Sequence, residues 1–167
     1  MSDASDPAIL IADALTEDAP VIARFNEAMA LETEHRRLDL ATVLAGTRAL
    51  MERPAYGRYF VAKVGGAIVG QAMVTYEWSD WRDGVIWWLQ SVYVAPDHRR
   101  RGVFRALLAH IERAARESQD AVGLRLYVET ANHPALATYR RLGFTPSGHV
   151  VYEMDWSGLA SVGSARE

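Results

Sequence analysis

The ten-residue run from Val85 to Val94 (VIWWLQSVYV) constrains the fold more than any other part of the chain. Its hydrophobic residues occupy both alternating sets of positions, so both faces of a strand formed here must be covered. Such a strand lies inside a sheet with packed structure on each side. The chain has 167 residues, half of them hydrophobic, which is enough for one layered core of this kind. An α/β architecture is therefore predicted.

Hydrophobic periodicity and turn signals predict six strands and four helices. The strands are expected at Ala8–Ala12, Tyr59–Val64, Ala67–Tyr76, Val85–Val94, Leu124–Glu129 and Val150–Trp156. The helices are expected at about Thr16–Leu31, Asp39–Leu50, Gly102–Ser118 and Pro134–Leu142. Between the second and third strands, Gly65-Gly66 is typical of a two-residue hairpin turn. We expect a single domain over residues 1–167, with its core at about residues 8–156 and a flexible tail at 157–167.

Composition excludes several classes of protein. The net charge is −3, from 18 basic and 21 acidic residues, so no overall positive field favours nucleic acid. Cysteine is absent, which rules out disulfides, thiolate metal ligands and cysteine nucleophiles. The five histidines include no i, i+4 pair of the kind found in helical zinc sites, so no metal is expected. The N-terminus lacks a signal-peptide pattern and no apolar run reaches about 18 residues, so we expect a cytoplasmic protein without membrane contact.

A basic turn separates the Val85–Val94 strand from the predicted third helix. It consists of Arg99, Arg100, Arg101, Gly102, Val103, Phe104 and Arg105. The first backbone N–H groups of a helix lack intrahelical partners and carry the positive end of the helix dipole, so they bind anions. Gly102 lets the backbone approach such an anion closely. The spacing favours a polyanion such as a pyrophosphate over the alternative, a solvated basic turn.

This turn resembles the first signature of the GNAT superfamily of N-acetyltransferases, Gln/Arg-x-x-Gly-x-Gly/Ala, which occupies the same strand–turn–helix setting. Arg99 and Gly102 match the signature, whereas Phe104 stands where the family has a small residue. Since Phe104 also fits the apolar stripe of the helix, we expect its side chain to point into the core. The segment Asn132–Tyr139, followed by Gly143-Phe144, is similar to the second signature of the family.

The resemblance implies an α/β (α+β) fold with a mixed, mostly antiparallel central sheet of about six to seven strands and about four flanking helices. It also implies that the fourth and fifth strands splay apart and that acetyl-CoA, the co-substrate, binds between them. The implied cofactor-binding residues are Val92, Tyr93, Val94, Arg99, Arg100, Arg101, Gly102, Val103, Phe104, Arg105, Asn132 and Tyr139. Two of them have structural alternatives, because Asn132 is also a plausible helix N-cap and Tyr139 a plausible core residue.

The reaction that the resemblance implies is direct attack of a neutral amine on the thioester, without a covalent enzyme intermediate. A backbone N–H near Val92 would stabilise the developing oxyanion, and Tyr139 would protonate the departing thiolate. An acidic residue would act as the general base. The candidates are Glu34, Glu77, Asp80 and Glu129, each of which is alternatively ordinary surface charge. We assign the base to Glu34.

The acceptor is expected to be a small-molecule or peptide amine, with a homodimer compatible with the family. Its expected contacts are Glu34, Trp78, Glu77 and Gln90. The segment Thr75–Asp83 combines aromatic rings with three carboxylates, which suits a cationic amine; alternatively, it is a hairpin whose tryptophans cap the core. A different function is also open, that of a non-catalytic acyl-CoA-binding sensor or scaffold. Release of CoA on addition of amines distinguishes an enzyme from such a module.

Overall fold

The computed structural model describes residues 8–158. Within them the chain forms, in order, β1 (Leu10–Asp13), α1 (Ala19–Glu34), α2 (Leu40–Met51), β2 (Gly57–Val64), β3 (Ala67–Ser79), β4 (Gly84–Val94), α3 (Val103–Glu117), β5 (Ala121–Arg125) and α4 (His133–Arg141). The contacts divide the chain into two compact units, of which the first ends at Leu126 and the second begins at Tyr127. All five strands and α1–α3 belong to the first unit, and α4 belongs to the second. From residue 159 onward, the predicted tail lies outside the described residues.

The strands form one mixed sheet in the order β1-β2-β3-β4-β5. Neighbouring strands are antiparallel except β4 and β5, which are parallel and are joined through α3 as a crossover helix. This arrangement confirms the mixed, mostly antiparallel sheet, with the Val85–Val94 run as an interior strand. The predicted hairpin is also confirmed, since Gly65 and Gly66 join β2 to β3 with φ values of 58° and 83°.

The predicted count of about six to seven strands was wrong, because the described residues contain five. The segment Val150–Trp156 was predicted to be the last strand, but it forms none. The side chains of Val150, Tyr152 and Trp156 are 74%, 91% and 86% exposed. Alternating hydrophobic residues give a segment strand propensity, but a strand forms only where a neighbouring strand completes its hydrogen bonds.

The predicted position of the fifth strand was wrong by three to four residues. It was expected at Leu124–Glu129, whereas β5 pairs with β4 from Ala121 to Arg125. The alternation of Leu124 with its neighbours identified a strand, but contact with β4 decides which residues pair. That contact begins where Gly84 of β4 leaves space for β5.

Helices cover both faces of the sheet. The ring of Phe60 in β2 lies 5.5 Å from the ring of His110, which places α3 on the face to which Phe60 points. On the opposite face, Ile22 of α1 clusters with Tyr59 and Val61 of β2, and Leu50 and Met51 of α2 pack against this cluster. Successive strand residues point to opposite faces, so the two helical layers bury most of β2 and parts of β3 and β4 between them. Helices on both sides of the sheet explain why Val85–Val94 has hydrophobic residues on both faces of the strand.

Gly84 lies in β4 at a point where β5 comes very close. A Cβ atom at this position would lie 2.3 Å from Cγ1 of Val122 and 2.7 Å from the carbonyl oxygen of Asp120. We therefore expect Gly84→Ala to lower the free energy of unfolding by about 1–3 kcal/mol, because the overlap forces the two strands apart. Urea denaturation measures this change. The matched control is Gly123→Ala in β5, where a Cβ would meet nothing within 4 Å; equal losses in the two variants would contradict this placement of β5.

Candidate functional site

The turn before α3 leaves the N-terminus of this helix available to a ligand. The first hydrogen bond of the helix runs from the N–H of Ala106 to the carbonyl oxygen of Gly102 at 2.9 Å. Gly102 is the N-cap residue and has no side chain with which to cap this end of the helix. The backbone takes positive φ values of 61° at Arg100 and 84° at Gly102, and the four arginines of the turn are exposed. Backbone N–H groups, the positive end of the helix dipole and the arginine charges thus act together at one place, as an anion site requires.

Phe104 does not take the core position that the sequence predicted. It is half-buried, and the buried stripe of α3 begins instead at Val103 and continues with Leu107 and Ile111. The space for Val103 comes from Gly70 of β3, where a Cβ atom would lie 2.9 Å from Cγ1 of Val103. The start of α3 is therefore anchored on the sheet one residue earlier than the hydrophobic stripe indicated.

Arg99, the first arginine of the turn, is held by other parts of the protein. Its Nε donates to the carbonyl oxygen of Val94 at 2.8 Å, and its Nη2 donates to Glu32 of α1 at 2.7 Å. The hydroxyl of Tyr93 donates to the other carboxylate oxygen of Glu32 at 2.9 Å. Burial raises the pKa of Tyr93, and the hydrogen bond to Glu32 raises this pKa further. This cluster joins the last turns of α1 to the end of β4.

A bulge in β4 separates the paired part of the strand from its end. The pairing passes from Gln90 to Tyr93 on β4 while it advances by only two residues on β3. The extra residue lies at Ser91-Val92, and Ser91 has a φ of 48°. A bulge takes a residue out of the ladder and turns its peptide groups in a new direction.

A buried amide network supports this bulge from the side of α1. The Nε2 atom of Gln71 donates to Oδ1 of Asn26 at 2.7 Å and to the carbonyl oxygen of Ser91 at 3.3 Å. The Nδ2 atom of Asn26 donates to the hydroxyl of Tyr59 at 3.2 Å. Since Gln71 has no exposed surface, losing these hydrogen bonds would leave buried polar atoms unsatisfied. The network therefore ties the bulge to α1.

The strands β4 and β5 stop pairing at Trp88 and Arg125. Their parallel register runs from Val85 opposite Ala121 to Trp88 opposite Arg125. Beyond this point β4 continues to Val94, and its edge away from β3 has no partner strand among the described residues. We refer to the place where the pairing ends as the fork. The free N–H and C=O groups of such an unpaired edge can form hydrogen bonds with an extended ligand, which then takes the place of an additional strand.

A strip of polar side chains lies beside the fork on the face of the sheet that α1 covers elsewhere. Glu77 of β3 accepts two hydrogen bonds from Nη1 of Arg125, at 2.9 and 3.0 Å, and a third from the indole N–H of Trp88. The guanidinium carbon of Arg125 also lies 5.4 Å from the centroid of the Trp88 ring. Gln90 donates to the hydroxyl of Thr75. These half-exposed residues form the polar strip: Thr75, Glu77, Trp88, Gln90 and Arg125.

The structure brings two of the four predicted acceptor residues together, because Glu77 and Gln90 both belong to the polar strip. The other two lie outside it. Glu34 is the last residue of α1, and its carboxylate lies 3.8 Å from Nη1 of Arg36. The side chains of Trp78 and Trp81 are 60% and 90% exposed, so they do not cap the core.

The second unit contains the remaining predicted cofactor residues, in and beside α4. The side-chain oxygen of Asn132 accepts the N–H of Ala135 at 3.2 Å, which confirms its role as the N-cap of α4. Tyr139 is half-buried, and its ring lies 5.8 Å from that of Phe144 in an edge-to-face arrangement. Burial raises the pKa of the Tyr139 hydroxyl. The helix ends before Gly143, which has a φ of 91° as a left-handed cap requires.

Two further properties concern the whole described part of the chain. Within residues 8–158, no three or more His, Cys, Asp or Glu residues are grouped as metal ligands would be. No helix in this range is both long enough and apolar enough to cross a membrane.

Comparison with known proteins establishes the family. The sequence model of the acetyltransferase (GNAT) family matches residues 22–144, a range that contains the turn, the bulge and the polar strip. The chain belongs to this family. The resemblance inferred from the two motifs is thus confirmed, and with it the fold class. Members of the GNAT family use acetyl-CoA as co-substrate.

Individual GNAT relatives support the same conclusion. A streptothricin acetyltransferase from Streptomyces lavendulae is 41% identical over 96 residues, which is 56% of this chain and 48% of that protein. A mycothiol acetyltransferase from Corynebacterium aurimucosum is 34% identical over 124 residues, 72% of this chain and 40% of that protein. The chain therefore spans about half the length of these curated relatives. A crystal structure of a possible acetyltransferase from Clostridium difficile 630 has 41% identity and a TM-score of 0.82, over 88% of this chain and 97% of that one.

Three residues of the candidate site were not predicted from the sequence: Gln71, Asn26 and Arg125. Gln71 is a polar residue within an apolar strand, which is a usable signal for a buried hydrogen bond. Asn26 gives a weaker signal, because an asparagine in a helix is most often on the surface. Arg125 lies within the predicted strand Leu124–Glu129 and gives no local signal of a site, since its position opposite Trp88 follows from the β4–β5 register.

The support of the bulge can be tested by replacing Gln71 with a side chain of similar volume. We expect Gln71→Met to lower the free energy of unfolding by about 1–3 kcal/mol, because Asn26 and the Ser91 carbonyl lose their buried donor. Gln90→Met is the matched control: Gln90 is half-exposed and bonds only Thr75, so we expect a loss below about 1 kcal/mol. Urea denaturation of the two variants measures both changes in the free energy of unfolding. A Gln71→Met variant as stable as the unmodified protein would show that the network does not support the bulge.

Proposed function

We propose that this chain is an N-acetyltransferase that transfers the acetyl group of acetyl-CoA directly to a primary amine within a ternary complex. The observation that carries the proposal is the continuity of the unpaired end of β4 with the uncapped N-terminus of α3. The strand edge suits an extended amide-containing arm, and the helix terminus suits a pyrophosphate. Coenzyme A contains both groups, joined in this order. Membership of the GNAT family supports the same assignment.

The residues of the turn fit a bound pyrophosphate. A Cβ atom at Gly102 would meet nothing within 4 Å, so the space beside this residue is open to a ligand. We assign phosphate binding to the backbone N–H groups from Gly102 to Arg105, with Arg100, Arg101 and Arg105 as outer support. Arg99 has a different part, because its guanidinium already bonds Glu32 and the Val94 carbonyl. It positions the turn against α1.

The backbone of Val92 to Val94 is the proposed partner of the pantetheine arm. Tyr93 takes part through its backbone only, since its side chain packs against Phe25 and bonds Glu32. The bulge lies at the inner end of this edge, and a peptide N–H near Val92 is the proposed donor to the oxyanion. Asn132 and Tyr139 keep their proposed contacts to the cofactor, in addition to their structural roles in the second unit.

Proton transfer requires one base and one acid. Acetyl-CoA supplies the acetyl group, and a neutral amine must attack its thioester carbonyl. Glu34 is the proposed base: its carboxylate has one ion pair, at 3.8 Å, whereas Glu77 accepts three hydrogen bonds. Tyr139 is the proposed acid for the thiolate, because its raised pKa keeps the hydroxyl protonated at neutral pH.

The proposed acceptor pocket combines the polar strip with Glu34 and the exposed ring of Trp78. Two relatives are named as acetyltransferases of streptothricin and mycothiol, and two others as N-alpha-acetyltransferases. These names cover small molecules and amino termini. A small-molecule or peptide amine is therefore the acceptor class that we propose.

Binding of acetyl-CoA tests the cofactor site without knowledge of the acceptor. At 100 times the Kd, the ligand should stabilise the protein by about 2.7 kcal/mol and raise the Tm by roughly 5–10 °C. We expect Gly102→Ala to weaken binding about tenfold or more, because a side chain at φ 84° shifts the backbone that holds the phosphates. Gly66→Ala is the matched control, with φ 83° and an equally open site in the β2–β3 hairpin. Thermal unfolding with and without acetyl-CoA measures both variants.

The outcomes separate the two functions considered from the sequence. No Tm shift at millimolar acetyl-CoA would contradict the cofactor site itself. A shift without CoA release from any amine would identify a binding module in place of an enzyme. Equal affinities in Gly102→Ala and Gly66→Ala would exclude the turn as the phosphate site.

Tyr139→Phe tests the proposed acid. We expect kcat to fall by about 100-fold, because a positioned proton donor is removed, while the KM for acetyl-CoA stays within about threefold. In the unmodified protein the raised pKa favours the protonated hydroxyl, so kcat should not decline through Tyr139 ionisation until the pH exceeds about 10. Initial rates of CoA release between pH 6 and 10.5 measure both effects. A Tyr139→Phe variant with unchanged kcat would remove Tyr139 from the mechanism.

A further inference from the structure

Arg125 occupies a place in the polar strip that the sequence assigned to the substrate. A carboxylate beside an aromatic ring suits a cationic amine, and Glu77 with Trp88 provides this pair. The structure places a cation of the protein there: Nη1 of Arg125 bonds both oxygens of Glu77, and the guanidinium lies 5.4 Å from the Trp88 ring centroid. The negative charge of Glu77 is thus compensated before any acceptor binds.

Only part of the Arg125 guanidinium is used in this way. Its Nη2 and Nε atoms make no hydrogen bond to any other described residue, and its side chain is 30% exposed. These two atoms form one edge of the guanidinium, and such an edge binds a carboxylate through two parallel hydrogen bonds. Glu77 and Trp88 hold the group from its other side. Arg125 is therefore a positioned anion receptor that still has two donor atoms to offer.

The fork places this receptor close to the proposed chemistry. Arg125 and Trp88 are the last pair of the β4–β5 register, and the bulge at Ser91 follows three residues further along β4. At about 3.3 Å per residue, this separation is about 10 Å. A small molecule can span that distance with a group at each end.

We propose that Arg125 binds a carboxylate of the amine acceptor, so that the substrate is an ω-amino acid or another small amine whose carboxylate lies several bonds from the reacting nitrogen. The inference rests on the proposed acetyltransferase function and specifies its substrate class. The carboxylate docks on the Nε–Nη2 edge, which directs the amine towards the bulge. Glu77 orients Arg125 and does not take up the substrate cation itself. A polycationic amine without a carboxylate gains no such contact at this site.

The test compares matched acceptors on one protein. A panel of α- and ω-amino acids is assayed beside the corresponding primary amides, with acetyl-CoA saturating and CoA release as the readout. The amide keeps the amine and the size but lacks the negative charge. For at least one pair, we expect kcat/KM to be about tenfold or more higher for the acid than for the amide. Polyamines and aminoglycosides are included as acceptors without a carboxylate.

Variants then assign the preference to Arg125. We expect Arg125→Gln to bring the acid-to-amide ratio near one, chiefly through a higher KM for the acid, while the rate with the amide changes little. Arg125→Lys keeps the charge but loses the planar edge, so an intermediate ratio is expected. Arg116→Gln is the matched control, because Arg116 is exposed on α3 and pairs only with Glu112. Its ratio should equal that of the unmodified protein, and the Tm of each variant confirms folding.

Failure of this inference is distinguishable from failure of the proposed function. Equal turnover of acids and amides, turnover of carboxylate-free amines alone, or an unchanged ratio in Arg125→Gln would overturn the role of Arg125 and leave the acetyltransferase intact. Bound acetyl-CoA without CoA release from any amine of the three sets would overturn the enzyme proposal, and the inference would fall with it.

Discussion

The geometry of the candidate site depends on where the parallel pairing of β4 and β5 stops. Trp88 and Arg125 are the last pair, and β4 then runs six residues further to Val94 without a partner on that edge among the described residues. A parallel pair needs a crossover helix, which here is α3. The crossover starts directly after β4, so the N-terminus of α3 follows the unpaired edge. One feature of the topology therefore produces a strand edge and an anion site in succession.

Two close contacts keep this arrangement in place. Gly70 allows Val103 to pack directly on β3, which fixes the start of α3 against the sheet. On the opposite face, Gln71 donates a hydrogen bond to the carbonyl oxygen of Ser91. The backbone of Ser91 is in the left-handed region, which costs free energy for any residue other than glycine. These two adjacent residues of β3 thus support the helix start and the bulge from opposite sides of the sheet. A short segment of one interior strand organises both halves of the proposed cofactor site.

The sequence was informative wherever the determining signal was local. Three local predictions were confirmed: an interior strand at Val85–Val94, a hairpin turn at Gly65-Gly66 and a helix cap at Asn132. The arginine–glycine turn also identified the family. Prediction from the sequence failed where a contact with a distant residue determines the local structure. Phe104 and Val103 both fit a helical stripe, and only the space at Gly70 selects Val103.

The strand errors have the same cause. Alternation marked Leu124–Glu129 and Val150–Trp156 as strands, but the pairing of β5 is set by its contacts with β4, and the second segment has no paired neighbour among the described residues. The polar strip joins β3, β4 and β5 through side chains that are up to 48 positions apart in the sequence. No local pattern contains such a contact, so Arg125 had no visible partner before the register was known.

The Glu77–Arg125 ion pair contributes little to the stability of the fold, but its position at the opening of the sheet suits a role in the site. Both side chains are substantially exposed, at 42% and 30%, and ion pairs in such surroundings contribute little to the free energy of folding. Yet this pair has two hydrogen bonds and an aromatic contact, and it lies where the sheet opens. Apart from Arg99, the arginines of the turn have no acidic partner among residues 8–158 that would hold their side chains in one direction. A long side chain held in place beside a proposed reaction centre supplies a fixed direction for the group that it binds, and for a guanidinium that group is an anion.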